Sequence, residues 1–362
     1  MKKIIKWIRV IVLSSAITLS IASCQKEIQS KSTTIAGEQA TTMASQKWVN
    51  IPDQIAFTQP DLYPEGVAFD RFNDRFLVSS FGKGTIGAVS FNGEYTPFIQ
   101  DPDLKSTLGL HIDEARKRIV VAVTDGLLGD VAKVGVYDLN AGSRIWLIDL
   151  APLYPNGVHL ANDLTIDPQG NIYITDTKSP VIYKVDIDGN ASVFFEDQYF
   201  AKPPWVAARV WSGFNGIAYD NNGFLIVAFY AGSAVGRPSL VKIPINDPQH
   251  FSAVAFDFPA TFPDFSLDGI LLSRNGKELI GVNNKYLSRP MEIVHLTSND
   301  HWASAKRSET FPTGFTSPTT ATTDGKNIYV MYSYLFDIFF GTPGTHSEFI
   351  IQKIPFENIS AF

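Results

Sequence analysis

Four oxygen-bearing residues recur in this sequence at related positions: Glu65, Asn162, Asn215 and Asp268. Each opens a short run of alternating apolar residues, in "EGVAFD", "NDLTID", "NGIAYD" and "DGILLS". Two carboxylates and two amides are hard donors. Brought together, they suit Ca²⁺, which takes roughly six to eight oxygens and would leave positions for water and substrate. Glu65 and Asp268 supply the two negative charges that Ca²⁺ neutralises. Zn²⁺ is not expected, because the set contains no histidine or cysteine. A single such residue would read as a strand cap, since Asn and Asp often bond to nearby backbone at turns. Four on one axis favour one metal ion. Such an ion polarises a carbonyl and stabilises the developing oxyanion. Asp268 is the first choice for general base or nucleophile, with a calcium-bound hydroxide as the alternative. His159, three residues before Asn162, is a candidate proton shuttle.

The elements that must position these residues are repeats. Units begin at Glu65, Leu108, Asn162, Asn215, Asp268 and Thr319, spaced by 43, 54, 53, 53 and 51 residues. The sixth position of the unit is Asp70, Asp113, Asp167, Asp220, Ser273 and Asp324. A repeat of about 50 residues built from short alternating runs is the signature of a β-propeller. Each unit holds four strands, with Asp188-Gly189 as a two-residue hairpin signal in the third. Six units give an all-β, six-bladed propeller of about 24 four-to-a-blade strands. The last unit has only three, at 319–324, 327–333 and 348–354, so "KWVNIPDQIAF" (47–57) is expected to add the fourth and close the ring.

In a blade the first strand, A, lines the central channel. The A–B turns are all short. The long segments (125–132, 151–161, 197–214, 230–237 and 334–346) lie at B–C or D–A positions, on the face where the A strands start. Long loops over a rigid scaffold usually carry function. Phe200, Trp205, Trp211, Phe336, Phe339 and Phe340 sit in the two longest and point to an apolar substrate rim. The segment 334–346 is expected to cover the channel mouth as a lid, with Gly341 and Gly344 as hinges. Gly66, Gly109, Gly216 and Gly269 imply either positive φ or crowded backbone beside the channel. Asp163 stands where those units have glycine and is read as a structural bond between blades.

Other motifs carry less. Gly82-x-Gly84-x-x-Gly87 lies between two strands and lacks the helix that a dinucleotide site needs. No G-x-S-x-G occurs, so a serine hydrolase is unsupported. The formal charge of −6 argues against nucleic-acid binding. Residues 1–23 read as a lipoprotein signal: a basic start, an apolar stretch, then Ile21-Ala22-Ser23 before Cys24, the only cysteine and the expected lipidation site. Residues 24–46 are a polar tether and 47–362 the propeller. The chain is thus expected to be exported and anchored by lipid to a bacterial membrane, periplasmic or at the cell surface. With one cysteine it has no intrachain disulfide.

Through "PEGVAFD", "ANDLTID", "FNGIAYD" and "LDGILLS" the sequence resembles the gluconolactonase, regucalcin and luciferin-regenerating-enzyme family, with diisopropylfluorophosphatase and paraoxonase groups as relatives, over roughly residues 47–356. The resemblance implies one catalytic Ca²⁺ in the channel, held by Glu65, Asn162, Asn215 and Asp268, and hydrolysis of lactones, esters or phosphotriesters. Leu108 stands where paraoxonase-like enzymes have histidine. Leu160 stands where gluconolactonase-like enzymes have arginine, which makes a polar sugar lactone less suitable. The second calcium of some relatives would need ligands at Leu271 and Ala321, so one metal is expected. The reading is a monomeric calcium-dependent lactonase or esterase with a small-molecule substrate. The alternatives are a phosphotriester hydrolase on the same site and a non-enzymatic binding propeller.

Overall fold

The computed structural model describes residues 50–205, 212–285, 290–341, 346–357 and 359–362. The signal, Cys24, the tether and Trp211 lie outside the described residues. Val49–Phe362 form one compact unit. Its first strand is β1 (Gln54–Thr58). Blade I follows as β2 (Val67–Asp70), β3 (Arg75–Val78), β4 (Ile86–Val89) and β5 (Tyr95–Ile99). Blade II is β6 (Ser106–Asp113), β7 (Arg118–Thr124), β8 (Ala132–Asp138) and β9 (Arg144–Asp149). Blade III is β10 (Ala161–Ile166), β11 (Ile172–Asp176), β12 (Val181–Val185) and β13 (Ala191–Glu196). Blade IV is β14 (Gly213–Asp220), β15 (Phe224–Tyr230), β16 (Leu240–Pro244) and β17 (Ser252–Ala253). After β18 (Ala255–Phe256), blade V runs through β19 (Leu267–Leu272), β20 (Glu278–Asn283), β21 (Met291–Thr297) and β22 (Ser304–Gly314). Blade VI is β23 (Pro318–Thr323), β24 (Ile328–Tyr332) and β25 (Glu348–Ile354), with α1 (Phe336–Phe340) between the last two.

The protein is a six-bladed propeller, and β1 closes its ring. β1 pairs antiparallel with β25, from Gln54 opposite Gln352 to Thr58 opposite Glu348. The period of two decides which side chains anchor it. Ile55 and Phe57 point inward and are buried, while Gln54, Ala56 and Thr58 face solvent. Ile55 and Phe57 join a core that also holds Phe76 of blade I and Tyr329 and Phe349 of blade VI. Burying each stabilises the closure by about 1.5–3 kcal/mol. The paired strand is shorter than the 47–57 segment expected from sequence.

Blade V departs from the four-strand pattern. The outer strand of blade IV, β17, is two residues long. The chain then crosses to the neighbouring blade, where β18 pairs parallel with β22. The described residues therefore form 25 strands, and the extra one ties two blades together at their outer edge. Asp188-Gly189 also departs from expectation. The pair sits inside a longer turn, 186–190, in which Asp186 Oδ1 accepts the N–H groups of Asp188 and Asn190. An Asx turn on Asp186 replaces the two-residue hairpin.

The A–B pairing shifts register at the same place in five blades: Thr107/Leu110, Ala161/Leu164, Phe214/Ile217, Leu267/Ile270 and Pro318/Ala321. The two residues skipped are the first two of each repeat. A bulge of this kind re-aims side chains, which is how the repeat turns its first residue away from ordinary pairing. The glycines that follow are required by crowding between neighbouring A strands. A Cβ on Gly66 would meet Leu108 O at 2.5 Å, and one on Gly216 would meet Asp268 O at 2.4 Å. Neither glycine has positive φ, so crowded backbone is the reason. Asp163 bridges blades: its carboxylate accepts Leu164 N at 2.8 Å in its own blade and the N–H of Ile217 in the next.

Candidate functional site

Glu65, Asn162, Asn215 and Asp268 all line one cavity, open to solvent, at the start of the A strands. They come from blades I, III, IV and V, and each is buried. Their backbone is held between blades. Thr319 Oγ1 donates to Glu65 O at 2.6 Å, Thr175 Oγ1 to Asn215 O at 2.8 Å, and Thr177 Oγ1 to Phe214 O at 2.6 Å.

The side-chain hydrogen bonds fix which atoms face the cavity. Asn162 donates through Nδ2 to Thr177 Oγ1 at 2.8 Å, which leaves its Oδ1 forward. Asn215 bonds to the Asp268 carboxylate. Glu65 Oε2, Asn162 Oδ1 and Asn215 Oδ1 are buried and have no hydrogen-bond partner. A buried acceptor left without a donor costs about 1–3 kcal/mol, so three together call for an occupant.

Charge narrows the occupant. Desolvation first, then the repulsion of Asp268 and Asp163, holds Glu65 well above the usual carboxylate range. Burial raises Asp268 to about 7, against the opposing bonds from Asn284 and Asn215. Burial likewise raises Asp163 to about 7. No Lys or Arg lines the cavity among the described residues. His111 Nε2 lies 3.8 Å from Asp163 Oδ1, but burial pushes this imidazole down to about 4, so it is neutral at pH 7. Three carboxylates thus lack a protein counter-charge. Among the described residues no three His, Cys, Asp or Glu side chains form a metal cluster; the cavity's donors are two carboxylates with amides, an oxygen set suited to a hard cation.

The upper walls are apolar. Leu108, Leu160, Phe81, Leu335, Phe336 and Phe339 line the same cavity. Phe339 meets Phe81 edge-on, with ring centroids 5.6 Å apart. The expected lid segment therefore contains α1 and contributes three walls. Gly344 and the side chain of Phe340 lie outside the described residues.

Three residues expected at the site or its rim sit elsewhere. His159 is buried in the loop before β10, with Nδ1 3.0 Å from Asp176 Oδ2 and 3.3 Å from the Tyr183 hydroxyl. Asp176 also accepts the N–H groups of Leu160, Lys178 and Ser179. His159 fastens a loop to blade III and is not among the cavity-lining residues, which corrects its expected place at the channel mouth. Trp205 is 73 % exposed and does not line the cavity either. Phe200 packs inside blades III and IV against Phe195, Phe214 and Phe229.

Asn284, like Thr177 and Tyr230, is a polar lining residue that the repeats did not reveal. Pairing sets Val123, Asp176, Phe229, Asn283 and Tyr332 opposite the residue before each repeat's start. The next residues, Thr124, Thr177, Tyr230, Asn284 and Ser333, are therefore equivalent. An ungapped comparison of the third and fifth repeats sets Asn283 against Thr177, one residue early, because the A–B turn of blade V is longer.

The six-bladed propeller is shared with several solved structures at low identity. The major allergen Mala s 1 of Malassezia sympodialis is 18% identical, covering 83% of this chain and 96% of its own, with a TM-score of 0.66. A luciferin-regenerating enzyme is 12% identical, covering 85% and 98%, with a TM-score of 0.56. A gluconolactonase of Xanthomonas campestris is 14% identical, covering 84% and 91%, with a TM-score of 0.54. No family model and no curated protein matches the chain. At these identities the likeness establishes the fold, and function must be argued from the site.

Proposed function

We propose that this protein is a calcium-dependent hydrolase of lactones or esters. The observation that carries the reading is the set of unpartnered buried oxygens, Glu65 Oε2, Asn162 Oδ1 and Asn215 Oδ1, beside the Asp268 carboxylate in one cavity. Water alone would satisfy the amides but would leave the carboxylates uncompensated. One Ca²⁺ held by Glu65, Asn162, Asn215 and Asp268 answers both needs. When bound, the ion supplies a Lewis acid for the substrate carbonyl.

The chain's own groups do the rest. Asn215 and Asn284 hold the Asp268 carboxylate from two sides, fixed to take a proton from an attacking water or to attack the carbonyl itself. Leu108, Leu160, Phe336 and Phe339 keep bulk water from the reacting carbonyl and favour an apolar acyl or alcohol group. The signal over residues 1–23, followed by Cys24, supports an exported, lipid-tethered enzyme. The test is a panel of aryl esters and aliphatic and sugar lactones, assayed with Ca²⁺ and after chelation. Turnover of apolar members that is lost on chelation and restored by Ca²⁺ is expected. Undiminished turnover in chelator, or none on any member with Ca²⁺, would overturn the proposal.

A further inference from the structure

Asn283 and Asn284 are consecutive, identical in chemistry and buried, yet the fold uses them differently. Every polar group of the Asn283 side chain is spent on structure. Its Oδ1 accepts Ser266 N at 2.8 Å, and its Nδ2 donates to Asp264 O at 3.0 Å and Glu292 Oε1 at 2.9 Å. Asn284 is only half spent. Its Nδ2 donates to Asp268 Oδ2 at 2.8 Å, while its Oδ1 is buried without a donor. Because the amide nitrogen must face the carboxylate, the oxygen cannot exchange places with it.

The backbone is built to hold Asn284 there. Two successive three-residue turns, Asn284 N to Val282 O and Lys285 N to Asn283 O, both at 3.0 Å, curl the end of β20. Tyr230 of the neighbouring blade donates its hydroxyl to Asn284 O at 3.0 Å. At the equivalent position blades II, III, IV and VI carry the hydroxyls of Thr124, Thr177, Tyr230 and Ser333. Blade V alone among these five extends an amide, and it does so beside Asp268. Four side chains leave Ca²⁺ short of its roughly six to eight oxygens.

Resting on the calcium reading above, we propose that Asn284 is a fifth side-chain oxygen ligand of the cation and positions Asp268 within the same site. It lines the same cavity as the first-position residues but comes from the end of a B strand, a position outside that ring. A ligand whose other end orients a neighbouring ligand makes the two interdependent, as hydrogen bonds to metal-bound carboxylates generally do.

Calorimetric titration of the purified protein with Ca²⁺, without substrate, tests this. Asn284→Leu, close in shape and lacking both polar ends, should weaken Ca²⁺ binding at least tenfold. Asn284→Asp, which keeps the oxygen and whose added charge offsets the lost donor to Asp268, should bind within threefold of wild type or more tightly. The calcium-free melting temperature of each variant reports on folding independently of the metal. Wild-type affinity in Asn284→Leu, or an aspartate variant as weak as the leucine one, would overturn the role of Asn284 alone. If the leucine variant does not fold, the aspartate variant decides: a tenfold loss there overturns the ligand role. A wild-type protein that binds no Ca²⁺ would overturn the calcium reading and this inference together.

Discussion

The repeat builds two rings of polar side chains, one from its first position and one from its sixth, and the fold treats them in opposite ways. At the sixth position the side chains hold their own A–B turns. Asp70 accepts Phe72 N, Asn73 Nδ2 and Arg75 Nε. Asp167 accepts Asn171 N and Nδ2, and Asp324 accepts Lys326 N, Asn327 N and Asn327 Nδ2. Ser273 does the same with Glu278 N. Asp220 accepts Asn222 N and keeps one oxygen without a partner. At the first position, Glu65, Asn162 and Asn215 each present an unpartnered oxygen to a cavity. Both rings are rich in side-chain oxygens: every first position but Leu108, and every sixth position, carries one. What separates them is the supply of donors: a tight turn offers N–H groups within reach of an Asx side chain, whereas at the strand starts no donor among the described residues reaches Glu65 Oε2, Asn162 Oδ1 or Asn215 Oδ1.

This contrast can be broken from either side. The largest effect should come from Asp268→Asn, which keeps the shape and removes the charge; turnover is expected to fall at least about 10³-fold with the far-ultraviolet dichroism unchanged. Activity within tenfold of wild type would remove Asp268 from the chemistry. The mirror experiment is Asp70→Ala. It strands Arg75 and opens the turn, and should lower stability by roughly 2–4 kcal/mol in urea denaturation. Its Ca²⁺ affinity should stay within twofold of wild type, and a tenfold loss there would mean that the two rings are not separate in function.

The buried carboxylates set a sign for pH. Glu65 and Asp268 are raised in the folded protein, Asp268 to about 7, above the roughly 4 of an unfolded carboxylate. The metal-free fold is therefore most stable while both are protonated; that contribution is complete below about 4 and is lost as pH rises, the share of Asp268 by about 7. A cation offsets the loss. The gain in Tm on adding Ca²⁺ to calcium-free protein should be larger at pH 8 than at pH 5, and an equal or larger gain at pH 5 would contradict the placement of charge. The smallest effect belongs to His159. Fastened to Asp176 away from the cavity lining, it should tolerate replacement by Ala with less than about a tenfold change in turnover, where a true general base would cost roughly 10²–10⁴.

The fold was readable because position six repeats an Asp that a short turn needs, and because alternating runs state which faces are buried. The three-strand last repeat announced its own closure by β1. The first-position ring was readable for the same reason, since equivalent repeat positions must lie around one axis. What stayed hidden depends on tertiary detail. Asn284 is displaced by one residue in an ungapped comparison, and only strand pairing restores its place. His159 was misplaced because a loop's path follows from bonds such as that to Asp176, which sequence distance does not express. β18 was invisible as two residues whose pairing belongs to the neighbouring blade.

Metal analysis of the purified protein, paired with its melting temperature before and after chelation, tests the central claim most directly. One Ca²⁺ per chain is expected, with a fall in Tm on chelation that Ca²⁺ reverses, since a ligand bound only to the folded form stabilises it. Bound zinc, or a metal-free protein whose Tm ignores Ca²⁺, would contradict the account.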